Sequence, residues 1–140
     1  GTILWETVDE FLLQTDAEID DEAFLLTGPR RFTEFDIPLV TTDRRHYFCS
    51  ERVAELSVSD LVCHMLLIDD SARYKGYCLL LIAKEEVDEQ QLRKRAEHYE
   101  LTETIDELLD YLRTHGETTP SGIVSWNEFE QMAAEYGVDV

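Results

Sequence analysis

The sequence predicts an α+β protein in which a mostly antiparallel sheet carries helices. Apolar residues recur at helical spacing near both ends of the chain, whereas runs of β-forming residues fill the middle. No serine- or glycine-rich linker and no internal repeat divides the 140 residues, of which 44% are hydrophobic. We therefore expect a single acidic domain over 1–140, with its sheet within residues 23–83, an N-terminal helix and three C-terminal helices packed on it.

The first element is predicted to be a helix over residues 3–14. Its apolar residues recur every three or four positions, which places them on one helical face. They are Leu4, Val8, Phe11 and Leu12. A solvated acidic connection follows over 16–22, and a strand-like run over 23–27 ends at Gly28-Pro29, which stops regular structure.

The middle of the chain is predicted to form the sheet. Two runs rich in β-formers, Ile37–Thr41 and His46–Cys49, flank a polar turn, and Ser50 can then cap a short helix. The apolar runs Leu61–Ile68 and Tyr77–Ala83 enclose a polar stretch, which indicates a hairpin. The second of these runs is apolar throughout, so we expect it at the centre of the sheet.

The last third is predicted to hold three helices. The first has an apolar face of Val87, Leu92, Ala96 and Tyr99; the second has Ile105, Leu108, Leu109 and Leu112. Thr102 can cap the second helix, and His115-Gly116 ends it. The third opens with Ser125 and Glu128, spaced as a capping box, and stops at Gly137.

The charge of the chain limits its classes of partner. The sequence holds 31 Asp and Glu against 12 Lys and Arg, a net charge of −19. Residues 1–70 carry 16 acidic and 5 basic residues and residues 71–140 carry 15 and 7, so the acidity is not confined to a tail. Such a field repels nucleic acid and anionic membranes and attracts basic proteins. The competing explanation is solvation: halophilic proteins are also acidic throughout and poor in lysine.

No catalytic pattern accompanies this charge, so the chain is not predicted to be an enzyme and no cofactor is expected. Cys49, Cys63 and Cys78 lie in apolar runs and read as buried free thiols of a reducing compartment. The four histidines are far apart, and no zinc motif, phosphate loop or nucleophile elbow is present. Without an apolar span of about 18 residues or a secretory leader, the sequence predicts a cytoplasmic protein.

Residues 117–129 resemble a degenerate calcium-binding EF-hand loop. Gly122 stands at the sixth position and Glu128 at the twelfth. Glu117, Thr119 and Ser121 replace the Asp and Asn that the motif prefers at its first, third and fifth positions. A helix connection that ends in a capping box explains the same residues without an ion, so no metal site is predicted.

The predicted partner-binding surface is helical and acidic. Four carboxylates form a stripe facing away from the apolar side of the second C-terminal helix, and the third helix adds more. Such a stripe presents carboxylates at positions where a basic protein binds nucleic-acid phosphates. Two aromatic side chains nearby are the predicted anchors of the contact. The predicted contact residues are Glu103, Asp106, Glu107, Asp110, Glu128, Glu130, Trp126 and Tyr99.

The segment 37–88 resembles bacterial polymorphic-toxin immunity proteins. The resemblance lies in Ile37-Pro38-Leu39-Val40, in the run from His46 through Ser50-Glu51-Arg52-Val53 to Leu56, and in Tyr77–Ile82 leading to Val87-Asp88. It implies a partner that the protein neutralises. The predicted function is therefore an immunity-type inhibitor of a basic protein such as a toxin. The alternatives are a nucleic-acid mimic of the anti-restriction kind, a calcium-responsive module, or acidity that serves solvation alone.

Overall fold

The computed structural model describes all residues 1–140 and divides them into two compact units, residues 1–57 and 58–140. The first unit contains every strand and the second contains every α-helix. The predicted α+β class is confirmed; that the chain folds as a single domain stays a prediction. No helix is long and apolar enough to cross a membrane.

The first unit is built on a four-stranded antiparallel sheet. Its strands are β1 (Thr2–Glu6), β2 (Glu10–Thr15), β3 (Leu25–Thr27) and β4 (Arg45–Ser50), in the order β1-β2-β4-β3. Leu12 of β2 lies opposite Phe48 of β4, and both are fully buried. The sheet therefore occupies residues 2–50, which overlap the predicted range of 23–83 only from residue 23 to residue 50.

The predicted N-terminal helix is wrong, because residues 2–15 form the β1–β2 hairpin. Backbone hydrogen bonding closes its turn, in which the amide of Thr7 donates to the carbonyl of Glu10 at 2.8 Å. Val8 lies at the tip and is fully exposed, so it does not share an apolar face with Leu12. The apolar residues of two strands and a turn happen to fall at helical spacing. The segment is so short that its apolar residues fit a helical period as well as the alternation of a strand.

The segment between β3 and β4 also departs from prediction. A 3₁₀ helix spans Pro29–Phe35, directly after the predicted break at Gly28. The predicted strand 37–41 is irregular, with Ile37 buried and Val40 exposed. Pro38 has no amide hydrogen for a strand ladder, which disfavours a strand there.

The short helix that Ser50 is predicted to cap does not form, because residues 51–57 are not helical. The Ser50 hydroxyl accepts hydrogen bonds from the amides of Arg52 and Val53, each at 3.0 Å, and donates to Glu10 at 2.6 Å. These bonds hold a local turn, and residues 51–57 continue as bends. The serine thus stabilises a single turn, and the residues after it do not form a helix.

The second unit consists of five α-helices. They are α1 (Val58–Ile68), α2 (Ala72–Lys84), α3 (Glu89–His98), α4 (Thr102–Arg113) and α5 (Trp126–Glu135). Its core is formed by fully or almost fully buried side chains from all five: Leu61, Val62, Met65, Leu79, Leu80, Leu92, Ile105, Leu108 and Phe129.

The predicted hairpin over 61–68 and 77–83 is wrong, because these runs lie in α1 and α2. A continuous apolar run fits a buried helix as well as a buried strand, so periodicity could not separate the two. Ser71 caps α2 by accepting from the amide of Tyr74. Gly76 lies inside this helix where a Cβ would come within 3.1 Å of Met132 of α5, so it permits close packing.

The three predicted C-terminal helices are confirmed. Asp88 caps α3 through bonds to two amides, and Ser125 caps α5 by accepting from the amide of Glu128 at 3.3 Å. The predicted cap Thr102 is instead the first residue of α4, whose N-cap Leu101 makes no side-chain bond. Gly137 follows α5 with φ +67° and ends it as expected.

Candidate protein-binding surface

The predicted stripe lies on α4, opposite the face that enters the core. Ile105 and Leu108 are fully buried, whereas Glu103 is exposed and the other three carboxylates are half-buried. The helical period explains this division, because residues three, four and seven apart share one side of a helix. The four stripe residues are Glu103, Asp106, Glu107 and Asp110.

Two of the four carboxylates have an arginine partner. Arg93 of α3 binds Asp106 at 2.9 Å, and this hydrogen bond raises the pKa of the guanidinium. Arg113 binds Asp110 at 2.6 Å, one turn further along α4. No salt bridge engages Glu103 or Glu107. Exposed pairs of this kind contribute little to stability, and the stripe keeps a net negative charge.

Along the sequence, the excess of acidic residues is greatest in the segment that contains this stripe. Residues 96–140, which contain all of α4 and α5, hold eleven Asp and Glu against one Arg, a net charge of −10. The preceding 95 residues hold twenty acidic and eleven basic residues, a net charge of −9. The last third of the sequence therefore carries more than half of the excess charge.

Trp126 lies at the start of α5, half-buried. Its ring stacks on His115 at a centroid distance of 4.9 Å and an interplanar angle of 5°, and it also contacts Tyr111 and Phe129. Gly116 makes room for it: a Cβ on Gly116 would lie 2.5 Å from Cβ of Trp126. Part of the indole stays accessible, as the predicted anchoring role requires.

Tyr99 does not have the predicted accessibility, since only 2% of it is exposed. Its hydroxyl donates to Asp60 Oδ1 at 3.0 Å and lies 2.9 Å from His64 Nε2 and 3.2 Å from Arg95. Burial, reinforced by the charge of Asp60, raises its pKa. The prediction of Tyr99 as a surface anchor is therefore wrong: its polar end is held by a buried hydrogen-bond network.

The carboxylates of α5 lie on different sides of that helix. Glu130 is exposed one turn after Trp126, on the same side. Glu128 is also exposed; burial, and after it the charge of Glu128, raises the pKa of Tyr111 to about 12. Glu130 therefore extends the surface around Trp126, whereas Glu128 faces elsewhere.

Sequence reasoning missed a cleft beside the stripe. It has a volume of about 400 Å³, and seven of its eleven lining residues are apolar. The apolar residues are Ile82, Ala83, Val87, Leu109, Leu112, Trp126 and Val140; the others are Glu86, Glu89, Arg113 and His115. Arg113 joins the two features, because it lines the cleft and also binds Asp110 of the stripe.

Two residues at the cleft have a left-handed backbone. Glu86 (φ +46°) follows the end of α2 and His115 (φ +51°) follows the end of α4. Glycine adopts this conformation freely, whereas other residues are disfavoured in it by about 1–2 kcal/mol. At the ends of α2 and α4, an ionisable side chain therefore lies at the cleft where a glycine would be the usual residue.

In the segment 117–129 the structure brings no cluster of His, Cys, Asp or Glu side chains together. No group of three or more His, Cys, Asp or Glu side chains in the chain is arranged to hold an ion. Gly122 does have the positive φ (+87°) expected at a sharp turn, but the Thr119 hydroxyl donates to the carbonyl of Gly116 at 2.5 Å. Residues 114–125 connect α4 to α5, and residues 126–129 form the first turn of α5.

The three cysteines are free and buried. Burial raises the pKa of Cys63 to about 12 and also raises the pKa values of Cys49 and Cys78. A thiol with a raised pKa stays protonated at neutral pH and is a poor nucleophile.

Fold and surface define an acidic α+β protein whose helical unit carries a stripe of four carboxylates on α4 beside an apolar cleft. The chain belongs to the family described as HVO_2833_C, C-terminal, which it matches over residues 21–138. That span includes β3, β4 and all five helices. No curated protein and no solved structure matches the chain.

Proposed function

We propose that this protein binds and neutralises a basic protein, as an immunity-type inhibitor does, through the α4 stripe and the surface around Trp126. The observation that carries the proposal is the uneven charge: net −10 within residues 96–140, beside a half-buried tryptophan. A carboxylate surface of this kind accelerates the encounter with a cationic partner, and an accessible aromatic ring supplies binding energy at short range.

The unpaired carboxylates Glu103 and Glu107 are central to this role. Neither makes a salt bridge, whereas Asp106 and Asp110 each bind an arginine. A basic partner can also displace Arg93 and Arg113, since both salt bridges lie at the surface. The stripe thus has two carboxylates without a salt bridge and two whose arginine partners can be replaced by basic side chains of the bound protein.

Two matched charge variants test the proposal. The stripe variant carries Glu103→Lys and Glu107→Lys; the control carries Glu18→Lys and Glu22→Lys, which change net charge equally in the exposed acidic segment of the first unit. Basic proteins of the native host are captured on the wild type and on each variant, and the captured protein is purified. Its association rate is then measured against ionic strength.

We expect the control to behave as the wild type, and the stripe variant to associate about tenfold or more slowly with a weaker salt dependence. Equal behaviour of the two variants, or no captured basic protein, would contradict the proposal and favour acidity that serves solvation. Neutralisation is tested by co-expression: the captured protein should be toxic alone and harmless with the wild type. Competition with DNA for several unrelated enzymes would instead favour the nucleic-acid mimic.

A further inference from the structure

We infer that the cleft between α2, α4 and α5 binds a large apolar side chain of the basic partner, and that Glu86 and Glu89 bind a lysine or arginine adjacent to it. This inference rests on the proposed function and names the chemistry of the contact. It assigns the partner a short segment in which one apolar residue is flanked by cations.

The interior of the cleft favours an apolar occupant. Ile82, Leu109 and Leu112 contribute aliphatic surface, and Trp126, whose ring stacks on His115, adds an aromatic side chain to the lining. The volume of about 400 Å³ lies at the lower end of the range for small-ligand pockets, about 300–1,000 Å³. Burying an aromatic or branched side chain there would remove apolar surface of both partners from water.

The charges at the rim favour a cation next to that side chain. Glu86 and Glu89 lie at the cleft without a salt bridge. The one basic residue at the rim, Arg113, is already bound to Asp110 at 2.6 Å. The rim therefore keeps a net negative charge, which complements lysine or arginine and repels acidic residues.

The backbone at Glu86 provides a further argument. Its left-handed conformation at the end of α2 suits glycine, and the glutamate is held there at a cost in stability. Residues held in such conformations are frequent at binding sites. Glu86 and His115 line the cleft, whereas Asp36 and Glu100, which have the same conformation, do not. A glycine at position 86 would end the helix without strain, so the carboxylate is what the glutamate adds.

Peptide probes test the cleft without the natural partner. We would titrate acetyl-Arg-Leu-Arg-amide into the full chain and follow methyl NMR signals of Ile82, Val87, Leu109 and Leu112. Acetyl-Glu-Leu-Glu-amide and acetyl-Arg-Gly-Arg-amide are the matched controls. We expect the first peptide to shift the cleft methyls at least tenfold more strongly, at equal concentration, than either control. Equal shifts by the acidic peptide would overturn the cation site, and no shift would overturn the cleft.

Two variants connect the cleft to the partner. Ala83→Phe fills the cleft, and Glu86→Gln removes one rim charge while keeping the side-chain length; thermal melts establish that each is folded. We expect both to raise the dissociation rate of the captured basic protein, Ala83→Phe by tenfold or more, with the association rate almost unchanged. If only the stripe variant alters binding, the cleft inference fails and the proposed function stands. If the cleft binds the cationic peptide but stripe reversal has no effect, the proposed function fails instead.

Discussion

Acidification should destabilise this protein through a histidine that is buried in its neutral form. His64 of α1 has no solvent-exposed surface, and its Nε2 lies 2.9 Å from the Tyr99 hydroxyl. Burial lowers its pKa from 6.5 to about 3; Arg95 acts in the same direction and Asp60 opposes it. The unfolded chain therefore binds a proton at pH values where the folded chain does not.

The direction and size of the effect follow from linkage. Stability due to neutral His64 is fully present above pH 6.5 and is lost as the pH falls toward 3. With these two pKa values, the free energy of unfolding falls by about 2 kcal/mol between pH 7 and pH 5 because of His64 alone. His46, whose pKa burial lowers to about 4, acts in the same direction and remains in the variant below.

Urea denaturation of the wild type and of His64→Gln, at pH 7 and pH 5 and constant ionic strength, measures this contribution. Glutamine does not titrate in this range, so the carboxylates and His46 affect both proteins alike and cancel in the comparison. The wild type should lose about 2 kcal/mol more than the variant over this interval. An equal loss in both proteins would show that His64 does not stay neutral in the folded state.

Three further predictions concern the second unit. Tyr99→Phe removes a hydroxyl that is bonded to a charged carboxylate, and should cost about 2 kcal/mol and lower the Tm by about 7 °C; an unchanged thermal melt would contradict the buried network. Gly116→Ala places a Cβ 2.5 Å from Cβ of Trp126 at a φ of +80°, and should cost about 1–3 kcal/mol and shift the tryptophan fluorescence; unchanged fluorescence and Tm would refute the described packing. Calcium should leave the Tm unchanged, because residues 117–129 gather no ligand cluster; a rise in Tm would restore the EF-hand hypothesis.

The C-terminal helices were predictable because several local signals agree there. Ser125 supplies a cap, Gly137 supplies a stop, and the apolar residues between them keep a helical period. The N-terminal hairpin and α1–α2 were not predictable for opposite reasons. Residues 3–14 fitted a helical period by coincidence, and the run Cys78–Ile82 is apolar at every position, so it carries no period at all.

The acidic stripe followed from residue spacing, since a helix with one buried face must turn its polar residues outward. The partner of Asp106 could not be predicted, because Arg93 lies on a different helix. Arg113 lies three residues after Asp110 on the same helix, so that pair was within reach of the sequence. The burial of Tyr99 and the formation of the cleft, like the Arg93 pair, depend on tertiary contacts. The helical spacing of positions 92, 96 and 99 does place Tyr99 on the apolar face of its helix, which indicates a buried side chain and not a surface anchor.

The central place of β4 in the sheet has a consequence for the order of folding. β2 and β3 both pair with β4, and the Glu10 and Ser50 pair joins residues 40 positions apart in sequence. Closing such distant pairs is slow compared with forming the neighbouring helices of the second unit. During synthesis, the β1–β2 hairpin must therefore wait with an open edge until residue 50 has left the ribosome, and we expect this interval to be when the nascent chain is most prone to aggregate.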